Sequence, residues 1–205
     1  MRWVVFDFGQ VIGLRTEAVP SLAARLGAPL PEFEAGYWKH RATYDLVGDD
    51  LAYWRAVLDP VGIAVDAGLV AELTELDEAG WLRVDPGALA LIVELFEAGV
   101  PLAILSNAPS SFGRTMRAQS WTKYFRTLLF SADLGVSKPD RAIYETLLDR
   151  IDASAADCFF TDDRQANVDG AVAAGLRAER WQGADALRPF LVEFGVLSEQ
   201  HRGDQ

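Results

Sequence analysis

The second half of the chain alternates short apolar runs with helical segments, and this alternation limits the possible folds more than any other feature. The apolar runs cover residues 100–105, 127–130, 158–161 and 177–181. Before the first of them, Asp85 and Pro86 open a segment with apolar residues at helical spacing that stops at Gly99. Strands and helices that alternate in this way form a parallel sheet with right-handed crossovers. We therefore predict an α/β fold with a Rossmann-like, three-layer α/β/α core.

An earlier apolar run, residues 3–6, ends in the carboxylate of Asp7 and is followed two residues later by Gly9. A β-branched and aromatic run of this kind predicts a buried strand of the same parallel sheet, with Asp7 at its C-terminal end. Open α/β sheets bind their ligands at that edge. A carboxylate removed from water needs a cation or several hydrogen-bond donors. Asp7 is therefore either a structural cap or a group that holds a metal or attacks an electrophile.

The segment from residue 14 to residue 83 has a different pattern, without a convincing strand. It carries amphipathic helical stretches, for example 51–58 and 69–76, and many Trp and Tyr residues that we expect in a hydrophobic core. A helical insert after the first strand predicts a small α-helical cap over the C-terminal edge of the sheet. We accordingly expect an α/β core domain of residues 1–13 and 84–205 and a helical cap domain of residues 14–83. The tail 201–205 is expected to fray.

Composition excludes several classes of function. Of the 205 residues, 50% are hydrophobic and 24% are charged, as in ordinary globular proteins. The net charge of −11 and the lack of a Lys/Arg cluster argue against a nucleic-acid partner. No apolar stretch approaches the roughly 20 residues that span a bilayer, and no signal-peptide pattern is present. We expect a cytoplasmic monomer or homodimer, with the lone Cys158 in the core.

Polar residues follow two further predicted strands, namely Ser106-Asn107 and Asp162-Asp163, and Lys138 stands at a loop-to-helix junction. Each has a structural alternative: a turn for the first pair, a helix N-cap for the second, and a solvated surface charge for Lys138. Together, acids, a hydroxyl and one lysine along one sheet edge are what phosphoryl transfer to a carboxylate requires. Mg²⁺ takes hard oxygen ligands, and the lysine and hydroxyl balance and orient the remaining phosphate charge.

With these motifs the chain resembles the haloacid dehalogenase-like hydrolase superfamily over nearly its whole length. Residues 7–11 resemble its nucleophile motif, 105–107 its phosphate-binding hydroxyl motif, 135–139 its lysine motif and 159–171 its acidic metal motif. The insert is similar to the small cap of the sugar-phosphatase and dehalogenase branches. The resemblance implies a Mg²⁺-dependent phosphatase of a small phosphomonoester, for example a sugar phosphate, that works through an aspartyl-phosphate.

The resemblance also implies a role for each residue. Asp7 would attack phosphorus. The ligands of Mg²⁺ would be the carboxylates of Asp7, Asp162 and Asp163 and the backbone carbonyl of Gly9. The catalytic residues would be Asp7, Ser106 and Lys138. Substrate contacts would come from the core residues Gln10, Ser106, Asn107 and Lys138, and from the cap residues His40 and Arg41, for which surface positions are the alternative.

Gly9 departs from the pattern of most phosphatases of this superfamily, which carry a second aspartate there as general acid and base. Such a group contributes about 10²–10⁴-fold in rate. In its Asp-x-Gly pattern the chain resembles a subgroup of the superfamily, some of whose members are similar to sugar-phosphate phosphatases. Two alternatives remain open: a metal-free 2-haloacid dehalogenase, which also lacks the second aspartate but has a less acidic metal motif, and a catalytically impaired fold that binds a phosphorylated ligand or a protein partner. The sequence does not identify the substrate.

Overall fold

The computed structural model describes residues 1–198 and contains a five-stranded parallel sheet. The strands are β1 (Trp3–Phe6), β2 (Leu102–Ser106), β3 (Thr127–Phe130), β4 (Cys158–Asp162) and β5 (Arg177–Arg180), in the order β3-β2-β1-β4-β5. Central strand β1 pairs in parallel with both neighbours, so Val5 lies beside Ala103 and Phe160. All five predicted strands are present and the prediction of a parallel sheet is confirmed. The tail 201–205 lies outside the described residues.

Ten α-helices accompany the sheet within residues 1–198. They are α1 (Ala18–Leu26), α2 (Leu30–Val47), α3 (Asp50–Leu58), α4 (Ala67–Trp81), α5 (Pro86–Glu97), α6 (Ser110–Arg117), α7 (Ser131–Leu134), α8 (Arg141–Ile151), α9 (Gln165–Ala173) and α10 (Ala184–Glu193). Short 3-10 segments cover Asp59–Val61, Ser120–Tyr124 and Ala155–Asp157. None of the described helices is both long enough and apolar enough to cross a membrane.

The sheet separates two hydrophobic clusters, because successive side chains of a strand point to opposite faces. On one face Val4 and Phe6 of β1 pack in a cluster with residues of α5 and α10, including Leu91 and Leu187. On the other face Trp3 and Val5 pack with residues of α8 and α9, including Ile143, Leu147 and Ala171. The core of the chain therefore has three layers, as predicted. Cys158 is buried in the second cluster, also as predicted.

Local signals set the helix boundaries. Asp85 caps α5, accepting a hydrogen bond of 2.7 Å from the backbone N–H of Ala88, which confirms the predicted start. Helix α8 begins later than the predicted Pro139, because Asp140 accepts from the N–H of Ala142 and forms its cap. The stop at Gly175 is as expected, since this glycine has a φ of 93°, in the left-handed region.

Helices α1–α4, called the inserted helices below, lie between β1 and α5 and enclose a hydrophobic cluster of their own. Trp54 is fully buried there, and its indole N–H donates to Thr74 at 2.9 Å. Tyr53 stacks on Tyr44 with ring centroids 4.1 Å apart. The expectation of a core position fails for Trp38, whose residue is 44% exposed. The division of the chain into core and cap domains stays a prediction.

Side-chain hydrogen bonds join the inserted helices to the rest of the chain. Asp50 accepts from the hydroxyl of Ser111 at 3.1 Å. Glu78 accepts from the hydroxyl of Thr115 at 2.6 Å. The Ser131 hydroxyl, at the start of α7, donates to the backbone carbonyl of Asp45. These bonds join α2, α3 and α4 to α6 and α7, the helices that follow β2 and β3.

Candidate active site

The ends of three adjacent strands bring the predicted residues together. Asp7 follows β1, Ser106 ends β2 and Asp162 ends β4, and because the strands are parallel these ends lie at the same edge. The edge opens into a cavity of about 390 Å³. Its polar lining residues outside the inserted helices are Asp7, Gln10, Ser106, Asn107, Lys138, Asp163, Arg164 and Asn167. The predicted core residues thus share one cavity or lie beside it, while their catalytic roles stay predictions.

Lys138 is the centre of the polar cluster. Its Nζ donates to Asp7 Oδ1 at 2.7 Å and to Asp162 Oδ2 at 2.6 Å, and its side chain is 1% exposed. The alternative of a solvated surface charge is therefore wrong. Burial lowers the pKa of Lys138, but the neighbouring Asp7 and Asp162 outweigh it and hold the pKa above its ordinary value. Lys138 is a permanent cation between two carboxylates.

Asn107 holds the backbone of Lys138 in place. Its Nδ2 donates to the carbonyl of Lys138, and its Oδ1 accepts from the N–H of Lys138, both at 2.9 Å. The family resemblance suggested only a backbone contact between Asn107 and phosphate. The Asn107 side chain also positions Lys138, which lies 31 residues further along the sequence. The spacing of the motifs did not predict this contact.

Asp162 is completely buried, and both of its oxygens already accept hydrogen bonds. Oδ1 accepts from the N–H of Arg164 and from the side-chain amide of Asn167, both at 2.9 Å, while Oδ2 accepts from Lys138. The N-cap alternative for Asp162-Asp163 is wrong, because the N-cap of α9 is Arg164, without a side-chain cap. Asn167 was not predicted as a site residue, although its place five residues after Asp162 puts it on the first turn of α9.

Asp163 is half-buried and faces the cavity, where its Oδ2 accepts from Gln10 Nε2 at 3.1 Å. Gln10 adopts a φ of 57°, an unusual value for a residue with a side chain. Burial and the neighbouring Asp162 raise the pKa of Asp163. One oxygen each from Asp7, Asp162 and Asp163 lies within 4.8 Å of the others. Three carboxylates grouped in this way form a set of hard oxygen donors that suits a divalent cation.

Burial at the sheet edge changes the acidity of Asp7. Burial raises its pKa to about 6, Lys138 opposes this shift, and Asp162 adds to it. Oδ1 is occupied by Lys138, and the second oxygen, Oδ2, faces the position at which a side chain of Gly9 would begin. Asp7 therefore has one oxygen bound to Lys138 and a second one directed at Gly9.

The inserted helices form one wall of the same cavity, which we call the roof. It consists of Trp38, Arg41, Ala42 and Asp45 from α2 and Trp81 from α4. Of the two predicted cap contacts, Arg41 lines this cavity. His40 lies instead at a second cavity of about 160 Å³ that residues of α2 and α3 line. Side chains of neighbouring residues in a helix point in directions about 100° apart, so His40 and Arg41 cannot both face Asp7. The sequence did not show which of the two would do so.

Arg41 is tied to other roof residues and to the buried core of the inserted helices. Its Nε donates to Asp45 at 2.8 Å, and its Nη1 donates to Asp77 at 2.9 Å and to the Tyr37 hydroxyl at 2.7 Å. Its guanidinium lies 5.1 Å from the centroid of the Trp81 ring. Burial raises the pKa of Asp45 to about 6, with Arg41 opposing the shift. Arg41 therefore balances two carboxylates.

The space beside Gly9 is open enough for a side chain. A Cβ at this position would lie 3.7 Å from Trp81 Cζ3 and 3.9 Å from Asp7 Oδ2, which are ordinary contact distances. The φ of Gly9 is not in the left-handed region, in contrast to that of Gln10. The glycine is therefore not required by the backbone. Where most phosphatases of the resembled superfamily carry an acid, this chain presents the edge of an indole ring.

Comparisons with known proteins find both a phosphatase and a dehalogenase among the relatives of this chain. Over 98 residues the chain is 36% identical to the sesquiterpene phosphatase astK of Aspergillus oryzae. The aligned stretch covers 47% of this chain and 50% of that protein. It is 26% identical over 192 residues to (S)-2-haloacid dehalogenase 1 of a Pseudomonas species, covering 88% of this chain and 84% of the relative.

Solved structures share the fold. The HAD-hydrolase YfnB from Bacillus subtilis, bound to magnesium, superimposes with a TM-score of 0.73 at 22% identity, covering 93% of this chain and 98% of that one. The family model described as haloacid dehalogenase-like hydrolase matches residues 1–175. The motifs at the sheet edge, the parallel sheet and this match agree, and the chain belongs to the haloacid dehalogenase-like hydrolases.

Proposed function

We propose that the protein is a Mg²⁺-dependent phosphatase that hydrolyses a small phosphomonoester through an aspartyl-phosphate on Asp7. The observation that carries this proposal is the charge of the buried cluster. The carboxylates of Asp7, Asp162 and Asp163 lie together, and one ammonium group, that of Lys138, pairs with the first two. If all are ionised, an excess of two negative charges stays in a largely buried site. Such an excess is costly without a further cation.

The ligands of that cation would be Asp7, Asp163 and the carbonyl of Gly9. Asp162 already accepts hydrogen bonds on both oxygens, which favours it as the residue that orients Lys138 rather than as a principal ligand. When bound, Mg²⁺ would neutralise phosphate oxygens and orient the phosphorus toward Asp7. Relatives support the proposal, since one is a phosphatase and one structure holds magnesium.

The proposed reaction has two steps. An oxygen of Asp7 attacks phosphorus, the bond from phosphorus to the ester oxygen breaks, and the leaving alcohol takes a proton from water because Gly9 offers none. Water then attacks the phosphorus of the aspartyl-phosphate, which releases inorganic phosphate and restores Asp7. Lys138, the Ser106 hydroxyl and the Asn107 backbone N–H would balance charge on the phosphate oxygens. The inserted helices would act as the cap that surrounds the leaving group.

A 2-haloacid dehalogenase is the second candidate, since one relative of that activity covers most of the chain. In such a reaction Asp7 would attack carbon and displace a halide without metal. Phosphate release from para-nitrophenyl phosphate that requires Mg²⁺ and stops with a chelator supports the phosphatase. Chloride release from a 2-chloro acid in the presence of the chelator would establish the dehalogenase instead. Binding of a phosphorylated ligand without either reaction would indicate an impaired binding fold.

Magnesium should stabilise the folded protein. A ligand that binds only the native state at 100 times its dissociation constant adds about 2.7 kcal/mol to the free energy of unfolding. We expect a rise in Tm with Mg²⁺, measured by scanning calorimetry, and its loss in Asp163→Asn. The exposed Asp149 on α8 offers a matched control, Asp149→Asn, that should keep the rise. A wild-type protein that shows no Mg²⁺ binding by titration calorimetry would refute the metal site.

Gly9 should make the enzyme dependent on good leaving groups, and Gly9→Asp should relieve that dependence. The added carboxyl has room for its Cβ beside Trp81 and can protonate the departing oxygen, a contribution of about 10²–10⁴-fold in favourable cases. We expect kcat/KM for a primary alkyl phosphate to rise by roughly tenfold or more, and that for para-nitrophenyl phosphate to change far less.

The control for this experiment is Gly9→Asn, which adds a side chain of the same shape without the acid. It should leave the dependence of rate on leaving-group pKa as steep as in the wild type. If Gly9→Asn and Gly9→Asp behave alike in folded samples, the effect is steric and position 9 does not limit proton transfer. Equal wild-type rates on alkyl and aryl phosphates, with chemistry rate-limiting, would show that another group already supplies the proton.

A further inference from the structure

The roof of the cavity carries little that could bind a charged leaving group. In-line attack by Asp7 places the leaving group on the far side of the phosphorus, toward the inserted helices. Among the described residues that form the roof, Arg41 is the single cation. Three of its five N–H groups are already used, on Asp45, Asp77 and Tyr37. Because two carboxylates face one guanidinium, the roof has no net positive charge to attract a second anion.

The rest of the roof is apolar and aromatic. Trp38 is 44% exposed at the cavity and meets Trp81 edge-on, with ring centroids 6.2 Å apart. The Trp81 ring is held in place, because its Nε1 donates to the Tyr37 hydroxyl at 2.9 Å. Its Cζ3 edge lies next to Gly9, close to the reacting carboxylate. An exposed tryptophan beside a fixed indole edge is apolar surface that a ligand can cover.

One lining residue of the cavity outside the roof is an exposed cation. Arg164 is exposed there, beside Asp163 at the start of α9, and it is the cation that a charged leaving group would have to reach. Burial raises the pKa of Asp45 on the roof, and Arg164 is, after Arg41, one of the cations that oppose this shift. The aromatic roof favours an apolar leaving group, whereas Arg164 favours an anionic one. A pair of substrates can distinguish the two preferences.

We infer that the cavity selects phosphomonoesters whose leaving group is uncharged and apolar and packs against Trp38 and Trp81. This inference rests on the proposed phosphatase function and adds the substrate class to it. The aromatic roof would gain free energy by covering apolar surface of the ester, whereas Asp45 and Asp77 disfavour a carboxylate on the leaving group.

The test compares two aryl phosphates of similar shape, para-tert-butylphenyl phosphate and para-carboxyphenyl phosphate, with Mg²⁺ at about pH 8, where carboxylates are ionised. The carboxyl group makes its phenol the better leaving group, so chemistry alone favours that ester. We expect kcat/KM to be at least about tenfold higher for the tert-butyl ester. Equal values, or a preference for the carboxylate, would overturn the inference and point to Arg164 as the specificity residue.

Two variants locate the preference. Trp38→Ala should lower the ratio of the two kcat/KM values by about fivefold, mainly through a higher KM for the tert-butyl ester. Phe190→Ala is the control, since Phe190 is also an exposed aromatic residue but lies on α10 and is not among the lining residues of the cavity. It should leave the ratio unchanged.

The outcomes separate this inference from the proposed function. If Trp38→Ala reduced the rates on both esters equally, the indole would not select the leaving group and the inference would be wrong while the phosphatase stood. If the wild type hydrolysed neither ester with Mg²⁺, the proposed function would fail first and the inference with it. Retention of the preference in Trp38→Phe, which keeps an aromatic ring, would support the apolar contact directly.

Discussion

Asp7→Asn is expected to lower kcat for aryl phosphate hydrolysis by at least about 10⁴-fold, because removal of a nucleophile leaves only positioning and electrostatic effects. The amide has the shape of the carboxylate but cannot form the acyl phosphate. The fold should persist, since Lys138 keeps its ion pair with Asp162. Steady-state phosphate release, together with circular dichroism of the same sample, measures both parts of this expectation.

Asp149→Asn, at an exposed position of α8, should retain full activity and shows that loss of one acidic charge is not the cause. A folded Asp7→Asn protein that keeps a rate within tenfold of the wild type would remove Asp7 from the chemistry. In that case the two-step scheme would have to be abandoned, because Asp7 alone follows the central strand.

Lys138→Met is expected to have the largest effect on stability. Removal of one partner from a buried ion pair costs about 3–5 kcal/mol, because the remaining charge is left without compensation. Here two carboxylates, of Asp7 and Asp162, would lose their common partner. Urea unfolding without Mg²⁺ should show this loss, and phosphatase activity should disappear with the cation that balances the phosphate.

Two comparisons make the result specific. Lys123→Met alters an exposed lysine and should change the free energy of unfolding by less than about 0.5 kcal/mol. The double variant Lys138→Met, Asp162→Asn should regain part of the lost stability, because one of the two buried charges is then absent. If Lys138→Met were as stable as the wild type, the buried cluster would not depend on its lysine.

The sheet and the ends of its strands were predictable because one rule connects them. A run such as Trp3–Phe6 is apolar on both faces, as only a strand covered on both sides can be. Polar residues at the ends of parallel strands must then meet at one edge, so Asp7 and Asp162 were expected together without knowledge of their contacts. The buried state of Lys138 follows less directly, since it depends on Asn107 holding a loop 31 residues away.

The arrangement of the inserted helices could not be predicted to the same detail. Which of His40 and Arg41 faces the sheet depends on the rotation of α2, and this is set by packing of Tyr37 and Trp54 inside the helical cluster. The contact between Trp81 and Gly9 joins residues 72 positions apart and has no local pattern. The sequence showed that position 9 lacks an acid, and the structure adds that an indole edge borders the space.

The aspartyl-phosphate is the central claim, and rapid quenching during turnover tests it most directly. Wild-type protein is mixed with Mg²⁺ and excess para-nitrophenyl phosphate, quenched in acid, and digested for peptide mass spectrometry. We predict one hydroxylamine-labile acyl phosphate, preserved by a brief cold quench, on the peptide that contains Asp7. It should be absent with a chelator and absent in Asp7→Asn. Two results would contradict an aspartyl-phosphate on Asp7. One is turnover without a phosphoryl group on Asp7 when hydrolysis of the intermediate is rate-limiting, and the other is a phosphoryl group on a different residue.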